Sequence, residues 1–166
     1  MLKCLSIGPI RAAGPVLAAL AVAVLLMRPA LADPLYPNPA NARSDIDAAL
    51  AQAAGAHKRV LIDFGANWCT DCKVLEQNFR KPENAALLAT HFVLVRVNVG
   101  DSGIDHNVDL AQGYGVPLKK GVPALAVLEG DGRVVFSQTQ GEFEAMRTMD
   151  PKSVNDFLTQ WKRPSP

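Results

Sequence analysis

Residues 60–65, Val-Leu-Ile-Asp-Phe-Gly, place the tightest limit on what this chain can fold into. Both alternations of the run are apolar except at Asp63, and the run is too short for a buried helix. It therefore reads as a central strand covered on both faces. A loop, Ala66-Asn67-Trp68, leads into a helix beginning near Cys69, with Val74, Leu75 and Phe79 on its core face. A strand covered on both sides needs layers above and below it, which calls for helices on two faces of one sheet.

The remaining elements fit that plan. Ser44 is placed to cap a helix running to about Ala54, with Asp47 three residues on and Ile46, Ala49, Leu50 and Ala53 as its stripe. Gly55 reads as its stop. Pro82 interrupts the helix that follows Cys69, and a second helical stretch covers about Glu83 to Ala89. Phe92 to Val99 is the next strand and Val108 to Gln112 a short helix. Val122 to Leu128 and Arg133 to Ser137 are strands joined by Gly130-Asp131-Gly132, and Pro151 to Trp161 is the closing helix. Strands joined by a long crossover should run parallel, and the hairpin must be antiparallel. The expected fold is α/β: a mixed central sheet of about four strands with helices on both faces.

Charge and hydropathy divide the 166 residues unevenly. Residues 1–32 hold Lys3, Arg11 and Arg28 and no acid, so removing those three from 17 basic residues leaves 14 against 16 acidic ones. The apolar run Ala12 to Met27 is too short for a comfortable membrane span, and Ala30-Leu31-Ala32 is a small-x-small cleavage signature. Cleavage of an export signal is expected after Ala32, and an uncleaved anchor is the competing reading. Residues 33–43, rich in Pro, Asn and Asp, read as an extended lead-in, 44–162 as one domain and 163–166 as a tail. With Cys4 lost, Cys69 and Cys72 are the only thiols, and the expected compartment is an oxidising one, a bacterial periplasm. A net charge near zero gives no footprint for nucleic acid, and an ordinary composition fits a monomer.

The chemistry-bearing stretch is Trp68-Cys69-Thr70-Asp71-Cys72-Lys73. Two thiols three positions apart on a first helical turn can close a small disulfide with little backbone movement. An exposed first cysteine would also gain from free N–H groups and the positive helix end, which favour thiolate. Cys69 should attack and Cys72 resolve the mixed disulfide. Other uses of a CxxC pair stand beside this one. Structural zinc needs four ligands, but there is no second cysteine pair, and His57, His91 and His106 are scattered. The dithiol holding copper or gripping a client without turnover, and an inert structural disulfide, remain as alternatives.

Residues 60–73, VLIDFGANWCTDCK, resemble the active-site stretch of the thioredoxin superfamily, and Gly121-Val122-Pro123-Ala124 before a strand resembles its cis-proline segment. The resemblance spans nearly all of residues 44–162 and implies a thioredoxin-like fold and a thiol–disulfide oxidoreductase. By position it implies that Asp63 is the buried acid that manages protons around Cys72. It further implies that Trp68 shields the site and offers an apolar contact. Val122 and cis Pro123 would then face the dithiol and present backbone to an extended substrate. No bound cofactor or metal is implied, because the dithiol carries the two electrons. The implied partners are proteins with cysteines or disulfides, together with a membrane electron donor to recharge the pair.

The chain departs from the thioredoxin pattern at Thr70-Asp71, where Gly-Pro is usual. Asp71 puts negative charge beside the thiols, which opposes thiolate and favours a reductant or isomerase-like role over a strong oxidant. Lys73 pushes the other way. Pro117-Leu118-Lys119-Lys120 lengthens the stretch before Pro123 into a basic lip, and the leading strand of a full thioredoxin is not evident.

Overall fold

The computed structural model describes residues 33–163. The segment read as an export signal, Cys4 within it, and the last three residues lie outside the described part. Among the described residues, no helix is long and apolar enough to cross a membrane.

Helix α1 (Ala42–Ala56) precedes β1 (Arg59–Gly65). Helices α2 (Thr70–Phe79) and α3 (Pro82–His91) then lead to β2 (Phe92–Asn98). Helix α4 (Val108–Gly113), the hairpin β3 (Ala124–Leu128) and β4 (Val134–Ser137), and α5 (Ser153–Trp161) complete the order. The sheet order is β2-β1-β3-β4. The α2–α3 crossover makes β1 and β2 parallel, whereas β3 is antiparallel to both β1 and β4. This is the mixed four-stranded sheet with two covered faces expected from the sequence.

The pleat sorts β1 onto two cores. Val60, Ile62 and Phe64 pack with Val95, Val97, Ala126 and Leu128 and with Ile46, Ala49 and Ala53 of α1. Leu61 packs on the other side with Leu125, Val127, Leu75 and Phe79 and with Val154, Phe157 and Leu158 of α5. Asp63 falls on the Leu61 alternation, and it is 2% exposed.

Several boundaries differ from the sequence reading for local reasons. A 3-10 turn, Pro39–Asn41, is capped by the Asn38 side chain and runs straight into α1. The helix therefore starts before Ser44, whose hydroxyl donates to the Asn41 carbonyl at 2.7 Å. It also passes Gly55 and ends at His57, whose left-handed φ of 54° lets its N–H turn back to the Ala53 and Ala54 carbonyls. Pro82 opens α3 within its first turn, where a missing N–H costs nothing. Strand β3 starts at Ala124, after the proline, which has no N–H to give the ladder.

Residues 33–43 are not a loose tether. Tyr36 is 1% exposed and belongs to the core. Asn67 pairs with the backbone of Tyr36 twice, at 3.0 and 2.8 Å. Asn98 and Asn107 donate to the carbonyls of Pro37 and Pro39. Three asparagine amides thus hold a proline-rich strap whose own prolines cannot donate.

Candidate functional site

Cys69 is the N-cap of α2, with an extended backbone at φ −75° and ψ 114°. That conformation turns its sulfur back over the helix end, where the Cys72 N–H donates to Sγ at 3.1 Å. Cys69 and Cys72 form a disulfide with Cα atoms 5.3 Å apart, inside the usual range for such a bridge. An orphan helix N–H directed at the first sulfur favours negative charge there once the bridge is reduced. The first cysteine is less open than the sequence suggested: Cys69 is 5% exposed and Cys72 is fully buried. Its sulfur is covered in part by the backbone of the segment before β3, with the Val122 carbonyl 3.5 Å away.

That segment is Val122-Pro123, and the bond between them is cis. The Pro123 carbonyl and the Leu125 N–H of β3 are held by one buried side chain. Gln138 donates to the Pro123 carbonyl at 3.2 Å and accepts from the Leu125 N–H at 3.1 Å. Nothing in the sequence singled out Gln138, because its role depends on β4 lying beside β3.

Trp68 is 41% exposed, and its indole N–H donates to the Gly100 carbonyl at 2.9 Å. The ring therefore lies at the surface beside Cys69 with its polar edge satisfied. Thr70 and Lys73 are exposed on the first turns of α2. In the lip, Leu118 is buried in a 3-10 turn while Lys119 and Lys120 are exposed.

Asp71 is not the free negative charge that the sequence suggested. Arg147, on the loop before α5, donates its backbone N–H to Asp71 at 2.9 Å and its Nε to both carboxylate oxygens at 3.1 Å. Burial would raise the Asp71 carboxyl, but the hydrogen bonds and charge of Arg147 outweigh it and hold the group below its ordinary value.

Asp63 sits in the middle of β1, opposite Arg96 on β2 and Leu125 on β3. Burial pushes its carboxyl up from 3.8 to about 7; the hydrogen bond from Tyr36 and the charge of Arg96 pull it back, and Glu76 pushes it further. Arg96 is itself paired with Glu76 of α2, which blunts its pull. The Tyr36 hydroxyl donates to Asp63 Oδ2 at 2.8 Å, while Oδ1 is buried without a partner. Burial and then the Asp63 charge hold the Tyr36 hydroxyl far above the ordinary phenol range, so it keeps its proton and acts as donor. Tyr36 carries almost no mark in the sequence. Its one signal was an aromatic residue next to Leu35 in an otherwise polar, proline-rich stretch.

Among the described residues no group of three or more His, Cys, Asp or Glu is placed to hold a metal ion. What the site contains is a disulfide that two electrons open and close, so its chemistry is thiol–disulfide exchange.

Known proteins are similar to this chain. The chain is 38% identical to the crystal structure of a disulphide isomerase from Xylella fastidiosa Temecula1, with a TM-score of 0.72 over 78% of this chain and 97% of that one. It is 36% identical over 59 residues to the thiol:disulfide interchange protein DsbD 1 of Pseudomonas aeruginosa, which is 36% of this chain and 10% of that protein. It is 30% identical over 79 residues to a protein disulfide-isomerase of Ricinus communis, 48% of this chain and 15% of that protein. The chain thus spans only a small part of these two much longer relatives. Residues 41–130, over half of the chain, match the family described as thioredoxin-like. A match of that extent, together with a solved structure overlaid along nearly its whole length, makes this chain a member of the thioredoxin-like family.

Proposed function

We propose that this protein exchanges disulfides with cysteines of other proteins in an exported, periplasmic location, as a reductant or isomerase-like enzyme rather than a strong oxidant. The observation that carries the reading is the Cys69–Cys72 bridge at the head of α2, lying against the cis Val122–Pro123 backbone. In the reducing direction the Cys69 thiolate attacks one sulfur of a substrate disulfide and displaces the other as a thiolate. Cys72 then attacks Cys69, closes the protein disulfide and releases the second substrate thiol. Two electrons pass to the substrate, and Asp63 takes the proton that Cys72 gives up. Trp68 offers an apolar contact, and the Val122–Pro123 backbone beside the disulfide presents itself to an extended segment. Thr70, Asp71 and Lys73 tune the pair. The oxidised pair is recharged by a membrane electron donor, and the protein works as a monomer.

The 38% identity to a disulphide isomerase supports the isomerase-like side of this reading. The apolar run of residues 12–27 and Ala30-Leu31-Ala32 support export. The test is trapping. Cys72→Ala is expressed with its native leader, and adducts are isolated on non-reducing gels. Discrete adducts through Cys69 are expected. A folded, exported variant with a free Cys69 thiol and no adducts would move the function to client or copper binding without turnover.

A further inference from the structure

Asp63 has two oxygens in different surroundings. Oδ2 accepts the Tyr36 hydroxyl at 2.8 Å, and Oδ1 is buried with no partner. The tyrosine reaches it because residue 65 is a glycine. A Cβ built at Gly65 would land on the Tyr36 hydroxyl and ring edge. The ring is held from both ends of its residue, since Asn67 takes the Tyr36 N–H and donates to its carbonyl. Asn67 stands two residues before Cys69, so one asparagine joins the strap to the turn that presents the dithiol.

We propose that Tyr36 is a positioning residue for Asp63: its hydroxyl occupies Oδ2, leaves Oδ1 as the oxygen that takes a proton, and sets the pH at which it does so. The link to disulfide exchange rests on the function proposed above; control of the carboxyl does not. Arg96 lies opposite Asp63 on β2, and Glu76 on α2 pairs with Arg96. Tyr36 comes from the strap, and β3 contributes only Leu125. Cys69 and Cys72 lie at the head of α2. Arg96 pairs with Glu76 and acts on Asp63 through its charge, whereas the neutral Tyr36 hydroxyl is the hydrogen-bond donor to the carboxylate among the described residues. A donor to the charged form lowers a carboxyl's pKa, and its removal raises it.

In the exchange step, the Cys69 thiolate displaces one glutathione thiolate from oxidised glutathione and forms a mixed disulfide. Cys72 passes its proton to Oδ1 as its sulfur closes onto Cys69. The second glutathione then leaves as a thiolate, and two electrons have moved from the protein to glutathione. Ionised Asp63 is the competent form, so a raised pKa slows the closing step at low pH and leaves it unchanged at high pH.

The experiment compares the full chain with Tyr36→Phe, Asp63→Asn and the double variant. Phenylalanine keeps the ring over Gly65 and removes only the donor. Reduced protein is mixed with oxidised glutathione from pH 5 to 9, quenched with acid, and the mixed disulfide is counted by mass spectrometry. The expected result for Tyr36→Phe is a midpoint moved up by about one pH unit, with closure about tenfold slower near pH 6 and equal near pH 9. In the Asp63→Asn background the tyrosine change should add nothing. A midpoint that does not move, or a further loss in the double variant, would overturn the proposal. A second readout needs no turnover: the carboxyl carbon of Asp63, titrated by NMR in the oxidised protein, should move up by the same amount in Tyr36→Phe. If that carboxyl moves while wild-type closure shows no pH dependence, Tyr36 keeps its role and the proton role of Asp63 falls. If it stays, the proposal fails whatever the kinetics show.

Discussion

A carboxyl in the middle of a covered strand is costly to ionise, and Asp63 carries that cost with one donor on one oxygen. The folded protein holds the Asp63 proton to about pH 7, whereas the unfolded chain releases it near 3.8. The folded state therefore binds more protons across that window, and stability falls as pH rises through it. Asp63→Asn should raise the melting temperature above about pH 5, with the gain growing to about pH 7 and level beyond. The span corresponds to on the order of 4 kcal/mol; thermal melts at a series of pH values check it. Asp71 behaves differently because Arg147 answers its charge. Arg147→Ala should leave that charge uncompensated, disfavour the Cys69 thiolate and make the pair more reducing. The Arg147 side chain is 63% exposed, so solvent screens the ion pair and the shift should be about 20 mV or less. Equilibration against glutathione would measure it, and a more oxidising pair would contradict the assignment.

At the scale of elements, the sequence was most legible where a signal was local. The strand β1, the turn Ala66-Asn67-Trp68 and the start of α2 are contiguous, and each is fixed by its own apolar pattern and cap. The boundaries that moved did so where a cap came from outside the pattern, as with the 3-10 turn that starts α1 ahead of Ser44. Tyr36 and Arg147 were illegible because their meaning lies in partners 27 and 76 residues away. No local rule reads such a pairing. The closing helix shows the opposite case. Val154, Phe157, Leu158 and Trp161 recur at helical spacing, and the structure packs Phe157 against Phe136 and Phe143 with ring centroids 5.1 Å apart in each pair. Phe157→Ala should cost about 3–5 kcal/mol in denaturant unfolding. It lies in the core that does not contain Cys69 and Cys72, so exchange with glutathione should be retained. A loss of exchange in the folded variant would show that the two cores are coupled.

For the whole molecule, the strap is the part that composition misjudged. Proline, asparagine and aspartate suggested an extended lead-in, yet Asn98 and Asn107 donate to the Pro37 and Pro39 carbonyls and Asn67 to that of Tyr36, which ties the segment to the domain. A chain beginning at Asp33 should fold and exchange disulfides normally. One beginning at Ala42 should lose about 3–5 kcal/mol, the cost of a missing buried aromatic residue, and urea unfolding of the two chains tests this. Equal stability would make the strap an ornament of the fold. Gly65 then carries a consequence for descent. A side chain there would fill the volume of the Tyr36 ring, so position 65 is not free to vary alone. Among relatives that keep the strap, any side chain at position 65 should be matched by a smaller residue at position 36, and aligned sequences should show the two changing as a pair.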